Sequence, residues 1–330
     1  MKPKEQSTQI RMAVSDCLPG LGRDNLIRMI GEGLASSPRR ISSMFFYDDF
    51  GSELFDRITC LPEYYPTRTE MELLEKLACS FAENLTDCDI IELGSGNCSK
   101  ISLLLDAVES SQMKSVRYVP VDVSKKVVEE SAVELVGRYP DLTVHGFVAD
   151  FCSQLDILPH DRRRVFCFLG GTLGNFHPEQ RAEFLQSMAS SMGPKDSFLL
   201  GVDMVKPKDI LEKAYDDGSN VTAQFNRNIL NVVNDITGTD FDPLLFRHVS
   251  FYNEEHARIE MHLEALQNMF VSSPFFDDLD IRRGERILTE YSHKFTSKSL
   301  SRLMESVGLS VDFRITDINN WYSVLKLKKI

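Results

Sequence analysis

The sequence predicts an α/β fold: a Rossmann-like, mostly parallel sheet with helices on both faces, carrying a second, smaller lobe. Three observations lead there. Short apolar runs alternate with helical patterns from residue 89 to residue 203, the pattern of a parallel sheet crossed by helices. One run ends in a glycine turn, Gly94-Ser95-Gly96, that opens a helix, the usual cradle for a nucleotide-like ligand. The alternation then stops near residue 206 and resumes only at the end of the chain. The insertion and the N-terminal segment are left to build the second lobe.

Taken in order, residues 23–30 read as a helix that Ser36-Ser37-Pro38 breaks. Between 45 and 70, aromatic and charged residues interleave with no clean period. That stretch is either an aromatic mini-core with an ordinary surface or a substrate-facing cap. A helix over 70–84 delivers the chain to the first strand, 89–93, and a helix over 101–108 follows its glycine turn. Strand 116–122 ends in Asp122, about two dozen residues beyond the glycines, where a ribose hydroxyl pair is usually bound. Helix 125–138 leads to strand 142–151, which ends in Asp150-Phe151. Strand 165–169 runs into Gly170-Gly171-Thr172-Leu173-Gly174-Asn175, and Pro178 opens the next helix, a favourable first-turn position. Strand 196–203 closes the series. Glu92, Asp122, Asp150 and Asn175 all fall at the carboxyl ends of strands, where such sheets hold their ligands.

Beyond 206 the chain reads as helices 208–215 and 221–236, paired strands 246–251 and 257–267, and a strand over 286–295. Helix 299–307 and strands 310–315 and 321–327 resume the Rossmann-like pattern. The expected division is 71–205 with 296–330 as the cofactor-binding domain, and 1–70 with 206–295 as a substrate-binding lobe.

At 330 residues the chain can bury a full core. A net charge of −12 argues against nucleic acid as a partner. No apolar run reaches membrane-span length and no signal-peptide core is seen, so a cytoplasmic protein with no membrane contact is expected. Seven scattered cysteines without a C-x-x-C pair argue against both a disulfide framework and a zinc site. His262 and His293 invite a metal reading but lack a third ligand at regular spacing, so no metal is expected.

The glycine turn admits two cofactors. The dinucleotide fingerprint wants a third glycine or alanine, and Ser99 stands there. Glu92, ahead of the first glycine, suits S-adenosylmethionine with its positively charged methionine end.

Longer motifs decide. Tyr47-Asp48-x-x-Gly51-Ser52-x-Leu54-Phe55, Leu61-Pro62-Glu63-Tyr64-Tyr65-Pro66-Thr67-Arg68, Glu92-Leu93-Gly94-Ser95-Gly96 and Phe168-Leu169-Gly170-Gly171-Thr172-Leu173-Gly174-Asn175 occur in order. Arg258-Ile259-Glu260-Met261-His262-Leu263 and Glu290-Tyr291-Ser292-His293-Lys294-Phe295 follow. Over residues 40 to 330 the chain resembles the histidine-specific Nα-methyltransferases, the first enzymes of ergothioneine biosynthesis. The resemblance implies a class I methyltransferase sheet and S-adenosylmethionine as cofactor. It implies free L-histidine as substrate, methylated on its α-amino group to the trimethylated betaine; a monomer acting on small molecules is expected.

The resemblance also implies roles. Gly94 and Lys100 would hold the cofactor, Asp122 its ribose, Asp150 and Phe151 its adenine, and Tyr64 would close over it. Tyr47, Asn175, Tyr215, Met261, Glu290 and Ser292 would take the amino acid. Asn175 and Tyr215 offer uncharged groups to its amine and carboxylate. Glu290 and Ser292, two apart on a strand, share a face and suit an imidazole. Each residue has a plainer rival. Asp122 and Asp150 could merely cap the helices that follow, Tyr215 could be surface, and Met261 could be plain core. Lys294, on the same strand face, could simply pair with Glu290. His177, beside Asn175, reads either as a general base or as a helix-start residue. Related members methylate other amino acids such as prenylated tryptophan. A silent methyltransferase-like scaffold and a nicotinamide dehydrogenase are the readings from other classes.

Overall fold

A computed structural model describes residues 11–18 and 22–330 of the chain. In chain order it contains β1 (Met12–Asp16), α1 (Arg23–Ala35), α2 (Asp49–Thr59), α3 (Tyr65–Phe81), β2 (Cys88–Leu93), α4 (Ser99–Leu105), α5 (Ser110–Met113) and β3 (Arg117–Asp122). Next come α6 (Lys125–Arg138), β4 (Thr143–Val148), β5 (Arg163–Phe168), α7 (Pro178–Ser191), β6 (Ser197–Asp203), α8 (Lys208–Tyr215) and α9 (Val221–Thr237). The chain closes with β7 (Phe246–Asn253), β8 (Arg258–Ala265), β9 (Met269–Val271), β10 (Leu279–Ile281), β11 (Arg286–His293), α10 (Ser297–Ser306), β12 (Leu309–Thr316) and β13 (Tyr322–Lys329).

The main sheet has eight strands in the order β1-β4-β3-β2-β5-β6-β13-β12. β1 to β6 run parallel, while β13 and β12 are antiparallel additions at one edge. Every residue of β2 and β6 is buried, Asp89 and Glu92 included, and their apolar residues are consecutive (Ile90-Ile91, Phe198-Leu199-Leu200) rather than alternating. Neighbours still part company: Ile90 joins a core on one face with Leu104, Tyr118 and Leu135. Ile91 joins a core on the other face with Phe166, Phe184 and Met304. After β2 the chain adds β3 on one side and later β5 on the other, so the topological switch point lies between β2 and β5.

A third core is built from elements outside this sheet, among them Ile30, Phe46, Leu54, Phe225, Ile229, Leu263 and Ile287. It packs α1, α2, α8 and α9 against a three-stranded antiparallel sheet, β11-β8-β7. Two stitches join that sheet to its surroundings, bridges Arg40–Leu288 and Met204–Phe295. The second is reinforced by Phe295 N–H donating to Asp203 O at 2.9 Å and Val205 N–H donating to Phe295 O at 2.8 Å. The ends of β6 and β11 therefore meet.

The structure corrects the sequence reading in three places. Residues 12–16, grouped above with the second lobe, form the edge strand of the main sheet, paired with β4. Residues 1–10 and 19–21 of that expected lobe lie outside the described residues. The aperiodic stretch 45–70 contains a true helix, α2, capped by the Asp48 carboxylate accepting from Gly51 N–H at 2.7 Å. Gly51 is required there, because a Cβ would lie 1.8 Å from Phe46 O. Finally, β11 carries a β-bulge: Leu288 faces His262 and Glu290 faces Met261, leaving Thr289 as the extra residue. The Thr289 hydroxyl fills its place by bonding Asn226 Oδ1 at 2.7 Å and Met261 O at 3.0 Å.

Candidate active site

The glycine turn after β2 has the left-handed backbone that demands glycine, φ +67° at Gly94 and +50° at Gly96. A Cβ on Gly96 would meet nothing within 4 Å, and one on Gly94 would touch only the Phe151 ring, 3.6 Å away. The turn thus borders open space with Phe151 standing beside it. Asp122 reaches across from β3, accepting from Ser124 N–H at 2.9 Å and from the backbone of Gly96 and Val123. Burial pushes its carboxyl up, and these amides draw it back. Asp150 is committed to its own turn through Cys152 N–H at 2.9 Å and the Ser153 hydroxyl at 2.7 Å. Both acids therefore cap the chain that follows while facing the strand ends. Glu92 is buried beneath the turn, bonded to the Tyr118 hydroxyl at 2.5 Å, and burial pushes it up to about 8.

Lys100 pairs with Glu70 at 2.8 Å. Glu70 was not picked out in the sequence. It is fully buried and also accepts from Gly170 N–H at 2.9 Å and the Tyr322 hydroxyl at 2.8 Å. One carboxylate thereby ties α3, the start of α4, the turn after β5 and β13 together at the switch point. No spacing signal points to it, because its partners are 30 to 252 residues away.

Facing this crevice, the second unit presents an aromatic wall. Tyr47 stands edge-on to Phe55 (5.8 Å) and Phe225 (5.9 Å), Phe55 to Tyr64 (6.3 Å), and Tyr64 to Tyr215 (6.2 Å). Tyr47 is half exposed by area, yet the surrounding walls push its hydroxyl pKa well up, and Glu290, Tyr215 and Asp122 add to the shift. Tyr64 feels Tyr215, Glu290 and Tyr47 in the same way. Residues from both parts of the chain thus converge on one cleft.

The floor of the cleft is β11. The bulge puts Glu290 on the same face as Ile287, opposite Met261, and Ser292 opposite Ile259. Ser292 shares a 2.8 Å hydrogen bond with the Tyr215 hydroxyl. Glu290 makes no hydrogen bond or ion pair among the described residues; burial pushes it up to about 7, and Lys294 pulls against that. The rival pairing with Lys294 is not formed, since that ammonium is engaged with Asp203, Ser292 and Tyr215. Asn175 ends the turn Thr172–Asn175 after β5, and Gly174 beside it packs against β11, where a Cβ would lie 2.7 Å from His293 O. His177 lies behind the strand, its ring 5.1 Å from Tyr291 on the face opposite Glu290, so a helix-start residue is what it is. Burial holds His262 down to about 4 and His293 to about 3. Among the described residues no three side chains gather as metal ligands.

An unpartnered carboxylate in a cleft costs stability. The folded chain holds the Glu290 proton more tightly than the unfolded chain, so stability is full below its ordinary value of 4.5 and is lost as pH rises through about 7. Solvent reaching the cleft screens part of this. Glu290→Gln is expected to stabilise the ligand-free protein by about 1–2 kcal/mol near pH 8 and not near pH 4. Thermal melts at the two pH values check it; equal shifts at both would place the effect elsewhere.

A family model described as histidine-specific methyltransferase, SAM-dependent, matches residues 26–329. The chain is 40% identical over 285 residues to a histidine N-alpha-methyltransferase of Mycolicibacterium smegmatis, spanning 86% of this chain and 88% of that one. It is 41% identical over 285 residues to the protein of the same name from Mycobacterium tuberculosis, with the same shares covered. An ergothioneine biosynthesis protein 1 of Neurospora crassa is 32% identical over 82% of this chain and 31% of its own length.

Proposed function

Because the chain belongs to the histidine-specific, S-adenosylmethionine-dependent methyltransferase family, we propose that it methylates the α-amino nitrogen of L-histidine, carrying it to the trimethylated betaine as the first step of ergothioneine biosynthesis. The observation that carries the choice of histidine is Glu290: a carboxylate without a partner among the described residues, beside the Ser292 hydroxyl on the cleft floor. An imidazole has one N–H to give to a carboxylate and one bare nitrogen to accept from a hydroxyl.

When bound, S-adenosylmethionine supplies a methyl group on a sulfonium, which an unprotonated amine takes by in-line displacement. The residues here have four tasks. Gly94, Asp122, Asp150, Phe151 and Lys100 hold the cofactor at the switch point, and Tyr64 closes the wall beside it. Asn175 and Tyr215 fix the amine and carboxylate of the amino acid. Met261, Glu290 and Ser292 fix its ring. Tyr47, with Phe55, offers aromatic faces to an ammonium that becomes permanently charged at the third methylation. No strong base is needed: an α-amino group has a pKa of about 8, so a neutral fraction exists near pH 7, and orientation carries the rate.

In this reading 71–205 and 296–330, with β1 added, serve the cofactor. The remaining parts of 1–70 and 206–295, with their own apolar core, serve the amino acid. No helix among the described residues is long and apolar enough to cross a membrane, and the proposed substrate is a small molecule. Mass gains on a panel of free amino acids incubated with S-adenosylmethionine test the reading. Three methyl groups on histidine are expected; methylation of tryptophan derivatives alone would overturn it. On the cofactor side, Asp122→Ala is expected to weaken S-adenosylmethionine binding roughly 10–100-fold, since hydrogen bonds to a charged acceptor contribute about 1.5–3 kcal/mol. Calorimetry showing unchanged affinity in a folded variant would leave Asp122 only its capping role.

A further inference from the structure

Behind the cleft floor lies a buried ionic cluster that the proposed chemistry does not use. Asp203, at the end of β6, accepts from Lys294 Nζ at 2.7 Å, from the Tyr65 hydroxyl at 2.7 Å and from Lys206 Nζ. Both lysines are buried, so two ammonium groups share one carboxylate. Asp317 lies farther off, its oxygens spent on the backbone amides of Asn319, Trp321 and Tyr322. A buried charge without its own counter-ion is expensive. Lys206 and Tyr65 already engage Asp203, and Lys294 is a second ammonium on it whose charge also acts on Glu290.

The Lys294 hydrogens are fully placed. One goes to Asp203, one to Ser292 Oγ at 2.8 Å and one to the Tyr215 hydroxyl at 2.9 Å. The two hydroxyls also bond each other at 2.8 Å, one donating. Each hydroxyl has one hydrogen. After that mutual bond and the two bonds from the ammonium below, one hydrogen and one lone pair remain, on different hydroxyls. From these counts we propose that Lys294 is a positioning residue: by occupying one lone pair on each hydroxyl it fixes the orientation of the Ser292–Tyr215 pair and leaves one hydroxyl hydrogen to be donated to the substrate. Glu290, two residues away on the same face, is an acceptor. The floor then carries the Glu290 carboxylate and one hydroxyl hydrogen in fixed places, and Lys294 sets the orientation of the hydroxyl pair. This rests on the reading of Ser292 and Tyr215 as substrate residues, and identifies what sets their direction.

The test is a double-mutant cycle. Lys294→Met is expected to raise KM for the amino acid at least ~10-fold, the effect of about one charge-assisted hydrogen bond, with kcat changed less and cofactor affinity unchanged. Lys294→Gln, which keeps two N–H donors without the charge, is expected to fall between. In a Ser292→Ala/Tyr215→Phe background, Lys294→Met should add less than about twofold, because the lysine acts through those hydroxyls. The same factor in both backgrounds, or a loss seen only in melting temperature, would overturn the proposal. If Lys294→Met does not fold, Lys294→Gln carries the cycle with the same criterion. The series is run on whichever amino acid the wild type methylates. Failure of histidine as substrate then shows in the wild type alone, and failure of the Lys294 role shows in the cycle alone.

Discussion

Glu290→Ala is expected to lower kcat/KM for histidine by roughly 10²-fold or more while leaving S-adenosylmethionine affinity within about twofold. Glu290 stands opposite Met261 with no partner among the described residues, so the ring N–H of a bound histidine would give it a charge-assisted hydrogen bond. An amino acid lacking that donor leaves the carboxylate desolvated and unpaired. Selectivity therefore arises as much from penalising the wrong ring as from gripping the right one. Removing the carboxylate removes both, so the preference for histidine over phenylalanine or tryptophan should narrow along with the rate. Competition kinetics with paired substrates measure this; an unaltered preference would move selectivity to Tyr47 and Met261.

Glu70→Ala is expected to cost about 3–5 kcal/mol of stability, the usual consequence of removing one partner of a buried pair. Glu70 takes hydrogen bonds from Lys100, Gly170 N–H and Tyr322, and alanine leaves all three without their acceptor. The same substitution should weaken cofactor binding, because it releases the turns on both sides of the switch point. Denaturant unfolding and calorimetry read the two effects separately. A full-strength cofactor complex in a destabilised variant would make Glu70 a structural tie only. Gly201 offers a gentler probe, since a Cβ there would lie 2.0 Å from Glu70 Oε1 and would push the carboxylate off its partners.

What could be read from the sequence follows from how far each interaction reaches along the chain. Strands buried on both faces carry consecutive rather than alternating apolar residues, so β2, β5 and β6 announce themselves despite the buried Asp89, Glu92 and Arg164, and the polar residues at their ends mark the crevice. The glycines at 94 and 96 are legible because their backbone excludes other residues. α2 was obscured: it buries Gly51, Leu54 and Ile58 but leaves Phe50 half exposed, so its apolar stripe is blurred. β1 is five residues long, and none of its residues is fully buried, so it carries no periodic signal. Glu70, Asp203 and Lys206 were missed for a different reason. Their partners are brought in by topology, as Tyr65 and Lys206 are across 141 residues, and no local pattern encodes that. The face shared by Glu290 and Ser292 followed from strand alternation alone; that a bulge sets which face it is did not.

That bulge makes substrate choice a matter of parity. Between the turn that opens β11 and Glu290, one residue more than its partner strand requires has been counted in at Thr289. Keeping Thr289 without the bulge would turn Glu290, Ser292 and Lys294 together to the side where Tyr291 and His293 now stand, whatever their identities, whereas losing Thr289 with the bulge would leave Glu290 opposite Met261. The pocket can therefore be retuned by substitution at 261 or 290, one position at a time. A one-residue insertion that the bulge does not absorb inverts the whole floor, while loss of the extra residue only straightens the strand. Descent within such a lineage would be expected to exclude such insertions in β11 more strictly than changes in its composition.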